Sequence, residues 1–271
     1  MKQIFILAGL SALLFSVSNT HLPINRPLGN PLRSESKDTL VYKYHITKER
    51  SPDCGARPDS ECTVAKVVYP FFNNQPLLNS SIQRKLATAF NFGDKRISTV
   101  KELVHGVIRA YLADTELIKD KGSYSLDASL KVARQDSYLL AFKIDGHTYS
   151  GGAHGLDKAA FLNWDIKKQR ELTLNDILVN GYRQQLTRIG EKIFRKDEKL
   201  NANAPLTDNY FFKNGKFSLN DNFMITPTGL QFLYNEYEIK SFAQGQTGLF
   251  IPYAQIKSLL RPNTVVSQYL K

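Results

Sequence analysis

Between Tyr124 and Ile166 apolar and polar residues alternate three times over. Even positions from Tyr124 to Val132 read Tyr, Leu, Ala, Leu, Val, and the odd ones Ser, Asp, Ser, Lys. The same alternation recurs from Tyr138 to Ile144 and from Ala160 to Ile166. Period two predicts strands with one buried face. Two earlier runs read the same way: Leu40, Tyr42, Tyr44 and Ile46, then Ala65, Val67, Tyr69 and Phe71. Pro70 lacks an N–H, so it should end the pairing or stand at an edge. Farther on, Met224–Thr226 and Leu230–Tyr234 flank Pro227-Thr228-Gly229, a hairpin turn, and Leu249, Ile251 and Tyr253 mark a further strand.

Helical spacing appears between these runs. Asn79 or Ser80 is placed to cap a helix carrying Ile82, Leu86, Ala89 and Phe90. Thr99-Val100-Lys101-Glu102 has capping-box spacing and opens a helix with a stripe from Val100 to Leu112. His105 lies beside that stripe and is expected to be partly buried with a backbone partner. Leu172, Leu174 and Ile177 lead through Asn175-Asp176 into a turn. A third helix is expected over Tyr182–Lys199, with Leu186, Ile189 and Ile193 inward and Arg183, Arg188, Lys192, Arg195, Lys196 and Lys199 on a wetted face. Residues 201–222 read as a long polar loop with one short element, and Ala254–Leu260 as a short helix. The pattern predicts an α+β fold: antiparallel sheets with packed helices, in two lobes. The expected divisions are an N-terminal lobe over 39–120, a C-terminal lobe over 121–262 and a tail over 263–271.

The first residues change the picture. Lys2 precedes an apolar run from Ile4 to Phe15, and Ser16-Val17-Ser18 offers small residues for cleavage. Residues 1–18 read as a secretory signal peptide, too short to span a bilayer. Residues 19–38, with Pro23, Pro27 and Pro31, read as a linker. Export predicts a periplasmic or secreted protein and gives the two cysteines meaning. Cys54 and Cys62 enclose a turn-forming sequence and should form a disulfide, zinc needing further ligands that no nearby histidine supplies. Net charge is +11, or about ten once Lys2 leaves with the leader. The basic residues lack the aromatic interleaving of a single-strand binder, so nucleic acid is not expected. Anionic envelope polymers or lipid head groups suit such a chain better, against a basic surface with no partner.

Candidate chemistry is sparse. No dinucleotide fingerprint or phosphate loop is present, Gly-x-Ser-x-Gly is absent around Ser150, and no cofactor is expected. His147 and His154 could meet as half a metal site without an evident third ligand. The main candidate is Tyr149, Ser150, Gly151, Gly152, Ala153 and His154, closed by Gly155. Its glycines allow positive φ, and its N–H groups could receive a carboxylate or sugar oxygen, with Tyr149 as a stacking face and His154 as a donor. Alternatively the glycines only let the chain turn. A second candidate is Tyr234, Tyr237, Glu238, Phe242 and Gly245, whose tyrosines suit a recognition surface or simply belong to a core.

Gly151-Gly152-Ala153-His154, then Phe161-x-x-Trp164-Asp165 and Leu172-Thr173-Leu174-x-Asp176-Ile177-Leu178, resemble the extracellular domain of RsiV-type anti-sigma factors. The same domain resembles the non-catalytic part of PdaC-type peptidoglycan deacetylases and secreted mycobacterial antigens. Val67-x-Tyr69-Pro70 with Leu78-Asn79-x-x-Ile82 matches the family's N-terminal half, and Gly229-Leu230-Gln231-Phe232, Tyr237-Glu238-Ile239 and Ile251-Pro252-Tyr253 its closing pattern. The resemblance implies a PdaC-like lobe followed by an RsiV-like lobe that binds envelope ligands, lysozyme in the anti-sigma members, through loops corresponding to the two candidates. Asn235-Glu236 stands where many relatives carry proline. The sigma-binding part, the spanning helix and the deacetylase catalytic domain are not expected here. The expected function is therefore an exported non-catalytic binding protein recognising a glycan, a peptidoglycan fragment or a lysozyme-type enzyme. The alternative is an envelope-glycan hydrolase or deacetylase using His154.

Overall fold

A computed structural model of the chain describes residues 40–91, 93, 96–117 and 122–270. The leader expected over 1–18 and the linker over 19–38 lie outside the described residues. Among the described residues nine strands form two sheets, which four α-helices accompany in an α+β arrangement. The first sheet holds β1 (Tyr42–Arg50), β2 (Val64–Phe72), β3 (Ser125–Gln135), β4 (Leu139–Tyr149), β5 (Leu156–Asp165) and β6 (Arg170–Glu171), in that spatial order. The second holds β7 (Phe223–Ile225), β8 (Gly229–Tyr234) and β9 (Thr247–Pro252).

All pairings are antiparallel except β2 with β3, which run parallel. A parallel pair needs a crossover of a dozen or more residues. Helices α1 (Pro76–Ala89) and α2 (Val100–Leu117) lie in that crossover. The first sheet thus continues across residue 120, joining strands from both sides of the expected lobe boundary. Pairing of β2 with β3 ends at Val68, two residues before Pro70.

The strand β4 shows how the two cores share one sheet. Leu140, Phe142 and Ile144 face α1 and α2 and join Val67, Phe72, Ile82, Leu103 and Trp164. Leu139 and Ala141 point to the opposite face and join Phe194, Tyr210, Phe232, Ile251 and Val266. A strand buried on both faces loses its alternation, hence the unbroken run Leu139 to Phe142. Burying Phe72 and Phe142 fully contributes about 1.5–3 kcal/mol each.

Several local expectations shift. Helix α1 starts with Pro76 at its first turn, ahead of Asn79. Asn79 sits inside the helix, where its amide accepts from Phe72 N at 2.9 Å and donates to Phe72 O at 2.8 Å, closing the end of β2. The capping box at α2 forms as its spacing predicts, Glu102 N donating to Thr99 Oγ1 at 3.1 Å and Thr99 N to Glu102 Oε2 at 3.0 Å. His105 is exposed and pairs with the Glu49 side chain at 2.9 Å rather than with backbone. The Leu172–Ile177 turn contains a single helical turn, α3 (Leu174–Ile177), boxed by Thr173 and Asp176. Helix α4 spans Arg183–Asp197. In the loop after it, Tyr210, Phe212 and Phe217 are buried around Phe194. Residues 253–259 form two 3-10 turns in place of a short helix.

The disulfide between Cys54 and Cys62 is formed. The residues expected as a tail pack down: Val265 and Val266 are buried in the 3-10 turn Val265–Tyr269. Tyr269 donates its hydroxyl to Asp136, and Arg134 Nε reaches Tyr269 Oη and Asp136 Oδ2, each at 3.1 Å. No helix among the described residues is long and apolar enough to cross a membrane.

Candidate binding site at the glycine loop

The glycine loop joins β4 to β5. Gly151 and Gly152 adopt φ of 90° and 93°, a region closed to most side chains. Tyr149 curls over them and donates its hydroxyl to Gly152 O at 3.0 Å. Gly155 is required for another reason: a Cβ there would strike the His147 ring and Thr148 O. His147 is held by Asp157 across the hairpin at 2.7 Å. His154 turns away from it. Its Nδ1 donates to Gly155 O at 3.0 Å, and its Nε2 lies 3.3 Å from Tyr237 Oη. The two histidines therefore have separate partners. No group of three or more His, Cys, Asp or Glu side chains spaced for a metal occurs among the described residues.

The second loop follows β8. Asn235 N donates to Glu238 Oε2 at 2.9 Å and Glu238 N to Asn235 O at 3.1 Å, forcing a tight turn with Tyr237 at φ 62°. The 3-10 turn Phe242–Gln244 ends at Gly245, φ 64°. Phe242 lies flat on His154, ring centroids 3.7 Å apart and planes 13° from parallel. Tyr237 stands 6.3 Å from His154 and 6.0 Å from Phe242, also near parallel. His154 of the first loop and Tyr237 and Phe242 of the second thus form one group of near-parallel rings. Tyr237 is half exposed. Ser150, Gly152 and Ala153 are exposed on the adjoining loop.

Other members of the second candidate do not reach this stack as free groups. Tyr234 is buried in the core, its hydroxyl donating to Ser218 O at 2.7 Å. Burial and then the Glu238 charge hold its phenol far above its ordinary range. The Glu238 carboxylate is occupied by the turn and by Asn220 Nδ2 at 2.7 Å.

What docks the second loop on the first is a set of polar side chains around Asn222, Asn235 and Glu236. Beyond its short pairing with β6, β5 is a sheet edge. Its outward N–H groups at Asp157, Ala159 and Phe161 donate to Glu236 Oε2 (3.1 Å), Asn235 Oδ1 (2.7 Å) and Asn222 Oδ1 (2.9 Å). The amides of Asn222 and Asn235 return bonds to Ala159 O at 3.0 and 3.1 Å. Farther along, buried Asn163 accepts from Ile225 N at 2.9 Å and donates to Phe223 O at 2.8 Å. Beside this junction opens a cleft of about 340 Å³ lined by Lys85 and Thr88 of α1, Lys158, Asn222, Asn235 and Glu238.

Comparison with known proteins agrees with this architecture. Residues 57–157 match the family described as deacetylase PdaC, and residues 175–254 the family described as a protein of unknown function, DUF3298. The peptidoglycan-N-acetylmuramic acid deacetylase PdaC of Bacillus subtilis is 20% identical over 224 residues, 70% of this chain. The chain spans 47% of that relative's length. Among solved structures, a DUF3298 family member from Bacteroides fragilis superposes with a TM-score of 0.70 at 24% identity, covering 87% of this chain and 99% of its own. A DUF3298 family protein from Pseudomonas aeruginosa gives 0.66 at 20% identity, covering 83% and 96%. The chain thus carries a segment similar to PdaC followed by a segment similar to DUF3298, on the fold seen in DUF3298 structures.

Proposed function

We propose that this is an exported, non-catalytic binding protein of the bacterial envelope. Its ligand is a glycan, a peptidoglycan fragment or a lysozyme-type enzyme, held at the junction of the two loops. The observation that carries the reading is the stack of His154, Phe242 and Tyr237. Flat aromatic faces give contact area at small entropic cost. The glycine loop beside them leaves backbone N–H groups within reach of a sugar hydroxyl or carboxylate. The match to PdaC supports an envelope role. A basic lysozyme would meet like net charge, which slows encounter, so it would have to approach through the Glu236 and Glu238 side of the loop.

Retention on insoluble peptidoglycan and on immobilised lysozymes tests this, with Phe242→Ala and Tyr237→Ala beside the unaltered chain. Removing one hot-spot aromatic should weaken binding by at least ~10-fold, on the order of 1.4 kcal/mol. Equal retention of all three proteins would remove the site. Turnover of peptidoglycan, lost in His154→Ala, would favour the hydrolase or deacetylase reading instead.

A further inference from the structure

The outward stripe of α4 carries charge that the ring stack does not use. Arg188, Lys192 and Lys196 recur every four residues, so they stand on one line about 6 Å apart. All three are exposed, and none has an ion-pair partner among the described residues. Like charges at this spacing destabilise a helix, so the stripe is held against its own repulsion by the buried Leu186 and Phe194 beneath.

Arg195 shapes a groove next to it. Its Nε and Nη2 both donate to Glu191 Oε1, at 2.9 and 2.8 Å, neutralising the acid on that side of the helix. Its Nη1 donates to Ala204 O at 2.8 Å and Asn201 O at 3.3 Å, pinning the following loop against the helix. The result is a groove of about 410 Å³ with the cations on one wall and Leu200 and Ala202 on the other.

We propose that this groove binds a linear polyanion of regularly spaced phosphodiesters, a polyol-phosphate chain laid along α4. Charge complementarity along a line of cations about 6 Å apart favours an extended polyanion. A helix that lies on a membrane presents large apolar side chains to the lipid; those of α4 are turned into the core. The ligand is distinct from that of the ring stack, so either proposal can fail alone.

The test titrates the full chain with fluorescently labelled polyglycerol phosphate between about 50 and about 200 mM salt, the range over which counterion release is read. The variant Arg188→Gln/Lys192→Gln/Lys196→Gln is compared with Lys43→Gln/Lys131→Gln/Lys216→Gln, exposed lysines that remove equal charge elsewhere. The stripe variant should lose at least ~10-fold in affinity, and its slope of log K against log salt should shrink by about 2, from roughly 0.7 per phosphate contact. The control should stay within ~2-fold of the unaltered chain if contact rather than net charge decides. Equal weakening by both variants would overturn the proposal, leaving only bulk charge. So would absence of binding to the polymer, or binding confined to phosphatidylglycerol vesicles, which would point to a membrane surface.

Discussion

The first sheet has two long edges, and the protein protects them differently. On the β1 edge, Lys43, Lys48 and Arg50 are exposed, and among the described residues no strand pairs beyond it. Lys48 and Arg50 fold toward Asp59 of the disulfide loop, Arg50 at 3.3 Å. Charge on an edge discourages another strand from adding, at little structural cost. On the β5 edge the backbone groups are consumed instead, by Asn222, Asn235, Glu236 and the return bonds to Ala159. The first device keeps neighbours away. The second attaches one, fixing the second sheet and the loop carrying Tyr237 and Phe242 against the glycine loop. An edge can therefore be closed by side chains alone, and doing so sets the geometry of a site.

The sharpest way to break this difference is at Asn163. Asn163→Leu leaves Phe223 O and Ile225 N buried without partners and should destabilise by about 3 kcal/mol, read by denaturant unfolding. Asn222→Ala strips Phe161 N of its acceptor and should cost about 2 kcal/mol. It should also weaken ligand retention more than an equally destabilising core substitution, because the ring stack loses its support. If Asn222→Ala is neutral, β5 is closed by packing and not by its amides.

Acid sharpens the contrast, because the β5 cap uses mainly neutral amides while the C-terminal turn is clamped by a carboxylate. Burial pushes the Asp136 carboxyl up, but bonds from Tyr269, Tyr138 N, Leu139 N and Arg134 outweigh it and hold it below the ordinary range. With the folded value depressed, its contribution is present above the unfolded pKa of about 3.9 and is lost as pH falls through the folded value. Thermal unfolding between neutral pH and about pH 3 should show a loss that Asp136→Asn largely removes; an unchanged acid profile in that variant would assign acid sensitivity elsewhere. The smallest effect belongs to the ring stack itself. Phe242→Ala should cost only about 0.5–1.5 kcal/mol of stability, since the rings are partly exposed.

Much of the fold was legible because one-sided burial leaves a period. The strands from Tyr124 to Asp165, the α2 capping box and the hairpin after Ile225 follow directly from alternation and cap spacing. Reading failed where a residue's partner is remote in the chain. Asn79 has cap chemistry but is recruited by Phe72. Tyr234 looks like a recognition tyrosine until β8 turns it inward. The parallel pairing of β2 with β3 leaves no local mark, because register between distant strands is decided by which faces the helices cover.

The sequence by itself determined the element types, the glycines that permit the β4–β5 turn and the cysteines that close the small loop. Those are properties of a few adjacent residues: backbone freedom, side-chain period and short-range chemistry. Only the tertiary structure decided that His154 would lie on Phe242 and that three asparagine and glutamate side chains would finish a sheet edge. Such contacts join residues about 60 to 90 positions apart. No local pattern encodes them; they form because two cores packed on opposite faces of one sheet leave those groups no other partners.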